Sequence, residues 1–178
     1  MAFTHKNIRL HPTSYLGRFT YFVTLCCAGR RSVFASARNA VWLIDHLRKQ
    51  SIAYRFAVHA YSVMPDHFHG LFCGIDPTSN LTAFVKNFKQ TTGYEYQERL
   101  HRALWQKKFY DHILRPRDNI AGVAAYIWMN PVRKGLCKDP REYPHSGSFT
   151  IDWKPAIAPV ESWVPVWKTK NKAPAFPT

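Results

Sequence analysis

Tyr61-Ser62-Val63-Met64-Pro65-Asp66-His67-Phe68-His69-Gly70-Leu71-Phe72 decides how this chain is read. Pro65-Asp66 separates two apolar runs and so reads as a turn. Residues 52–63 are strand-like, though their alternation is untidy, and a second strand begins at His67. The two make a hairpin. Successive side chains of a strand point to opposite faces, so His67 and His69 share one face and Phe68 takes the other. Two imidazoles on one rigid strand are half of a divalent-metal site. Taken alone, the spacing more often describes two ordinary edge-strand histidines.

Working outward, Phe19 to Cys27 is rich in aromatic and β-branched residues and reads as the first strand. Gly29-Arg30-Arg31 ends it with two charges suited to phosphate. Ala37, Ala40, Val41, Ile44 and Leu47 recur at helical spacing, so residues 36–50 form a helix with Ser36 as its N-cap. Leu81, Phe84, Val85 and Phe88 mark a second helix with Lys86, Lys89 and Gln90 on its other face. It runs toward Leu100 despite Gly93. Residues 105–115 read as a loop into a short strand. Asp118 then caps a helix from Asn119 to about Asn130, which Pro131 stops.

Composition narrows the partner. The 178 residues suit one domain with a small appendage: a basic arm over 1–18, the domain over 19–138, and a Pro-rich tail over 139–178 that packs on it in part. Twenty-five Lys and Arg against 11 Asp and Glu give a net charge of +14, which points to a polyanion. Aromatics at 15% add stacking platforms for unpaired bases. No apolar window is long enough to cross a membrane, and residues 1–12 do not form a signal peptide. Cys26, Cys27, Cys73 and Cys137 include no CxxC pair and read as reduced thiols of a cytoplasmic protein. Arg18, Arg30, Arg31, Lys86, Lys89, Lys107, Lys108, Arg115, Arg133 and Lys134 are the candidate DNA contacts.

On the last helix, Tyr126 and Asn130 lie one turn apart on one face. The Asn130 amide oxygen can ligate a hard cation, and Tyr126 offers a phenolic nucleophile. Beside the His strand, a metal on His67, His69 and Asn130 would polarise a scissile phosphate for in-line attack by Tyr126. Singly, Tyr126 reads as a half-buried helix tyrosine and Asn130 as a helix end before proline. The conjunction, in a chain of this charge, is what points to chemistry.

The chain resembles the HUH single-tyrosine nucleases, specifically the REP-associated tyrosine transposases, relatives of the transposases of small single-strand insertion sequences. The resemblance spans residues 18–136. It rests on Tyr21-Phe22-Val23-Thr24 with Arg30-Arg31-Ser32-Val33-Phe34, on Tyr61 through His69, on Leu104 through Asp111, and on Tyr126-Ile127-Trp128-Met129-Asn130-Pro131-Val132-Arg133-Lys134-Gly135-Leu136. It implies an α+β, ferredoxin-like fold: a central antiparallel sheet with helices packed on one face, plus an irregular C-terminal tail. It makes His67 and His69 the HUH pair, Tyr126 the nucleophile and Asn130 the third ligand, where insertion-sequence relatives carry Gln. The metal is Mg²⁺ or Mn²⁺, with no organic cofactor. The activity is cleavage and rejoining of single-stranded DNA at hairpin-forming palindromes through a 5′-phosphotyrosine, in the cytoplasm of a bacterium, at the nucleoid. A monomer acting in cis is favoured over a dimer. Two other readings are a non-catalytic reader of hairpin DNA and, well below it, a zinc hydrolase using His67, His69 and a ligand such as His112.

Removing the charges at Arg30/Arg31 or Lys107/Lys108 is expected to weaken hairpin-DNA binding and flatten its salt dependence. A salt titration of affinity checks this, and unchanged affinity in both pairs removes the basic surface from the reading.

Overall fold

Strict alternation builds the first strand. In β1 (Thr20–Cys26), Tyr21, Val23 and Leu25 are buried on one face, while Phe22 and Thr24 take the other. The computed structural model describes residues 11–116 and 118–157. After β1 come α1 (Ala37–Ala53), β2 (Phe56–Met64), β3 (His67–Gly74), α2 (Leu81–Leu100), β4 (Tyr110–Leu114), α3 (Ile120–Trp128), α4 (Asn130–Arg133) and β5 (Ser146–Gly147). The strands form one sheet in the order β4-β1-β3-β2-β5, every neighbouring pair antiparallel. The first four strands with α1 and α2 as crossovers are the expected ferredoxin-like arrangement.

The two long helices pack on one face, as expected. Leu43 and Leu47 of α1, with Leu81, Phe84 and Phe88 of α2, close over Tyr21, Val23, Phe68 and Phe72. α3 differs from the expectation of a single helical layer. Ala124, Ile127 and Trp128 cover Ala60, Leu71 and Leu114 on the opposite face. Very apolar α3 needs a face to bury, and the first is already taken by α1 and α2.

Three local expectations shift. α1 continues through Ile52 and Ala53, and Arg55, at φ 60°, turns the chain into β2, so that strand begins at Phe56. Its untidy alternation has a cause: a bulge between Val58 and Ala60. Before it Val58 joins the α1–α2 core; after it Tyr61 and Val63 do, and Ala60 joins the α3 side. The cap of α3 is Asn119, whose side chain accepts from the Gly122 N–H at 2.8 Å; Asp118 instead accepts from the Arg115 N–H at 2.7 Å. Pro131 does not end the helical course. It sits in the first turn of α4, where its missing N–H costs nothing.

The segment after Pro140 is tied to the sheet more firmly than an irregular tail suggests. β5 pairs with β2, and the Ser146 hydroxyl donates to that of Ser62 at 2.8 Å. The Trp128 indole N–H donates to the Gly147 carbonyl at 3.0 Å and its ring stacks on Trp153 at 5.0 Å. Residues 1–10 of the basic arm and the tail beyond residue 157 lie outside the described residues; within the arm, Pro12–Tyr15 form a 3₁₀ turn with Tyr15 buried. No helix among the described residues is long and apolar enough to cross a membrane.

Trp128→Ala removes both the stacking and the bond to Gly147. It is expected to cost about 3–5 kcal/mol, read as a lower urea midpoint.

Candidate active site

β3 lies at the centre of the sheet, so both histidines are fixed by two neighbours. His67 stands opposite Cys26 of β1 and Met64 of β2; His69 stands opposite Thr24 and Ser62. Both imidazoles are buried. Their Nδ1 atoms are engaged: His67 with the Asp66 carboxylate at 2.5 Å, His69 with the Thr24 hydroxyl at 2.8 Å. Asp66 is held in turn by Arg30 at 3.1 Å. With both Nδ1 atoms engaged, the two Nε2 atoms face each other 3.1 Å apart. At that separation they can share a proton or, with both in the Nδ1–H form, a cation.

α3 brings the other half. Phe22 stacks on His69 at 5.4 Å and meets Tyr126 edge-on at 6.0 Å; the Tyr126 and His69 rings are 6.1 Å apart. The break after Trp128 leaves Met129 in a helical conformation (φ −77°, ψ −7°), so Asn130 still follows Tyr126 by one turn. Asn130 is buried, and its amide nitrogen donates to the Tyr126 carbonyl at 3.4 Å, which leaves the amide oxygen as its open acceptor. The Arg133 guanidinium lies 4.8 Å over the Tyr126 ring. His67, His69, Tyr126 and Asn130 thus line one cleft of about 480 Å³ with Thr24, Arg30, Asp66, Arg133 and Lys134.

The electrostatics suit ligation. Burial, reinforced by His67, Arg133 and Arg30, pushes the His69 imidazole down to about 3. Burial also lowers His67, against the pull of Asp66. Burial tends to raise the Asp66 carboxyl, but the bonds and charges of His67 and Arg30 outweigh it and hold Asp66 below the usual carboxylate range. Two neutral imidazoles and an amide oxygen fit a divalent cation. Adjacent ligands of an octahedral ion at about 2.1 Å are about 3.0 Å apart, close to the observed 3.1 Å between the Nε2 atoms. No group of three His, Cys, Asp or Glu able to hold a metal gathers among the described residues. His112 is not a third ligand: it is on β4, opposite Phe22, half-exposed and 3.6 Å from Asp118.

Among the candidate DNA contacts, Arg30, Arg133 and Lys134 line this cleft. Arg31 is used internally, donating to the Ala28 carbonyl at 3.0 Å and to that of Ala103. Lys89 donates to the Gln106 and Lys107 carbonyls at 2.8 and 2.9 Å. Lys86, Lys89 and Lys107 line a separate cleft beside α2, and Arg18, Lys108 and Arg115 are exposed outside both. Sequence reasoning missed Thr24, Asp66 and Phe22. Asp66 was visible as a carboxylate adjoining His67; Thr24 and Phe22 needed the β1–β3 register.

The family model for IS200-like transposases matches residues 16–129. The chain belongs to that family. The transposase is 27% identical over 144 residues to a Haemophilus influenzae protein provisionally named a REP-associated tyrosine transposase, covering 71% of this chain and 81% of that one. It is 25% identical over 156 residues to the REP-associated tyrosine transposase of Escherichia coli K12, covering 78% and 87%. A solved REP-associated tyrosine transposase bound to a REP hairpin shares the fold, with a TM-score of 0.71 and 23% identity over 89% of this chain and 90% of that one. The resemblance read from the four sequence blocks is borne out.

The buried His69 generates a pH dependence. In the unfolded chain it takes a proton near its ordinary 6.5, in the fold only near about 3. Stability is therefore complete above pH 6.5 and falls as pH drops toward 3. Urea unfolding in chelator from pH 7.5 to 4.5 is expected to show the decline, and His69→Asn to make it shallower.

Proposed function

We propose that this transposase cleaves and rejoins single-stranded DNA beside hairpin-forming palindromes of the REP type, through a covalent phosphotyrosine on Tyr126. The observation that carries the reading is the His67–His69 pair, Nε2 atoms 3.1 Å apart, facing the Tyr126 helix in one cation-lined cleft. The names of the relatives, and of the structural neighbour with its REP hairpin, support the choice of substrate.

Arg133 and Lys134 draw the scissile phosphate to the cleft and offset its charge. Tyr126 Oη attacks phosphorus opposite the upstream O3′. A phosphotyrosyl bond forms, the P–O3′ bond breaks, the phenolic proton passes to solvent, and the departing oxygen takes up a proton as a free 3′-OH. A 3′-OH attacking the phosphotyrosine reverses the step and rejoins strands. Mg²⁺ or Mn²⁺, held by His67, His69 and Asn130, would supply Lewis-acid polarisation of a phosphate oxygen. Asp66 and Thr24 orient the two imidazoles for that ligation. Tyr126 meets His69 of its own chain, which supports a monomer acting in cis.

The test uses a labelled single-stranded palindrome with wild type and Tyr126→Phe, in Mn²⁺ or chelator, on denaturing gels. Wild type with Mn²⁺ is expected to form an SDS-stable adduct. Tyr126→Phe should form none while still binding the hairpin, and His67→Ala and Asn130→Ala should lose the metal-dependent product. Thr24→Val should weaken Mn²⁺ affinity by about 10- to 100-fold by calorimetry. Binding by wild type to several hairpins without any adduct would make the chain a non-catalytic reader.

A further inference from the structure

Phe22 is a large apolar side chain on the polar face of the sheet. It shares that face of β1 with Thr24, both alternating with the buried Tyr21, Val23 and Leu25. Its register partners are Leu71 of β3 and His112 of β4. The side chain is half-buried and packs in part against the apolar cluster under α3. A leucine would serve that contact. The other neighbours of Phe22 call for a flat ring.

The Phe22 ring lies nearly parallel to the His69 imidazole, at 23° and 5.4 Å between centres. It meets Tyr126 edge-on, at 75° and 6.0 Å. Both are favourable aromatic geometries. The Thr24 bond holds one atom of His69, Nδ1; a stacked face holds the plane of the whole imidazole. Tyr126 arrives from α3, and its ring centre lies 6.1 Å from that of His69. No local geometry relates a residue of β3 to one of α3. One rigid ring that touches both does. The Arg133 guanidinium, 4.8 Å over the Tyr126 ring, confines the phenol further.

We infer that Phe22 is a positioning residue for strand cleavage: its ring sets the separation and tilt of the Tyr126 phenol relative to the His69 ligand. The inference rests on the nuclease reading above. In-line attack on phosphorus tolerates little error in where Oη stands, since misplacing a reacting group by about 1 Å can cost about 100-fold in rate. Phe22 has no group that binds phosphate or metal. It acts through the two side chains it spaces.

The test has two arms, both with the full chain. In chelator, the His69 ring protons are read by NMR and assigned by comparison with His69→Asn. A stacked phenyl ring shields them, so wild type is expected to show them upfield of the ordinary histidine range. Phe22→Leu should return them to that range, and Phe22→Tyr should keep them upfield. At saturating Mn²⁺, single-turnover adduct formation on the labelled palindrome is followed against DNA concentration. Phe22→Leu should lower the maximal rate about 10- to 100-fold with the half-saturating DNA concentration unchanged, and Phe22→Tyr should restore the rate. A side chain that only fills space would do the opposite, lowering Tm and leaving the rate of the folded chain as it was. Ordinary His69 shifts in wild type would overturn the inference, whether or not Phe22→Leu folds. So would equal maximal rates for wild type and Phe22→Leu, or equal losses in Phe22→Leu and Phe22→Tyr. An absence of any adduct with wild type is a different result: it sinks the nuclease reading itself, and the role of Phe22 falls with it.

Discussion

One hydrogen-bonded register underlies the site: β3 paired on both sides, with His69 opposite Thr24 and Ser62. A slip of one residue would turn both imidazoles into the α1–α2 core. What prevents the slip is the other face of the same strand. Phe68 and Phe72 are buried against Phe84 and Phe88, and each would have to surrender that burial. The aromatic core thus aims the polar pair on its reverse side.

Burying two imidazoles and an amide is unfavourable unless each finds a partner. Asp66, Thr24 and the Tyr126 carbonyl fill those roles, and Arg30 completes the chain through Asp66. The same burial keeps the imidazoles neutral at ordinary pH, so the positive charge of the cleft resides on Arg30, Arg133 and Lys134. That division sets uncharged nitrogens beside permanent cations, which is what the proposed metal and DNA would each require. The chain's high positive charge is not all directed outward, however. Arg31 and Lys89 spend their donors on loop carbonyls and shape the walls between the two clefts.

The helix carrying Tyr126 shows how local and distant effects combine. Pro131 is compatible with a helical first turn, so α4 resumes immediately and keeps Asn130, Arg133 and Lys134 beside the histidines. The position of that helix depends on chain further on: Trp128 is held by Gly147 and Trp153. The segment beyond Pro140 therefore buttresses the helix of Tyr126 from behind.

Periodicity alone made much of this legible. Spacing of two placed His67 with His69, spacing of four placed Tyr126 with Asn130, and apolar stripes marked α1 and α2, because each of these is a property of a single segment's geometry. Charge alone pointed to a polyanion. The rest had no local signature. Only the tertiary structure decided that α3 takes the face opposite the long helices, that a bulge after Val58 re-aims β2, that Thr24, 45 residues from His69, completes its hydrogen bonding, and that Ser146 joins Ser62 across 84 residues. The physical reason is common to all four. Each depends on which distant segment pairs or packs with which, and that choice follows from burying the whole chain at once rather than from any stretch of it.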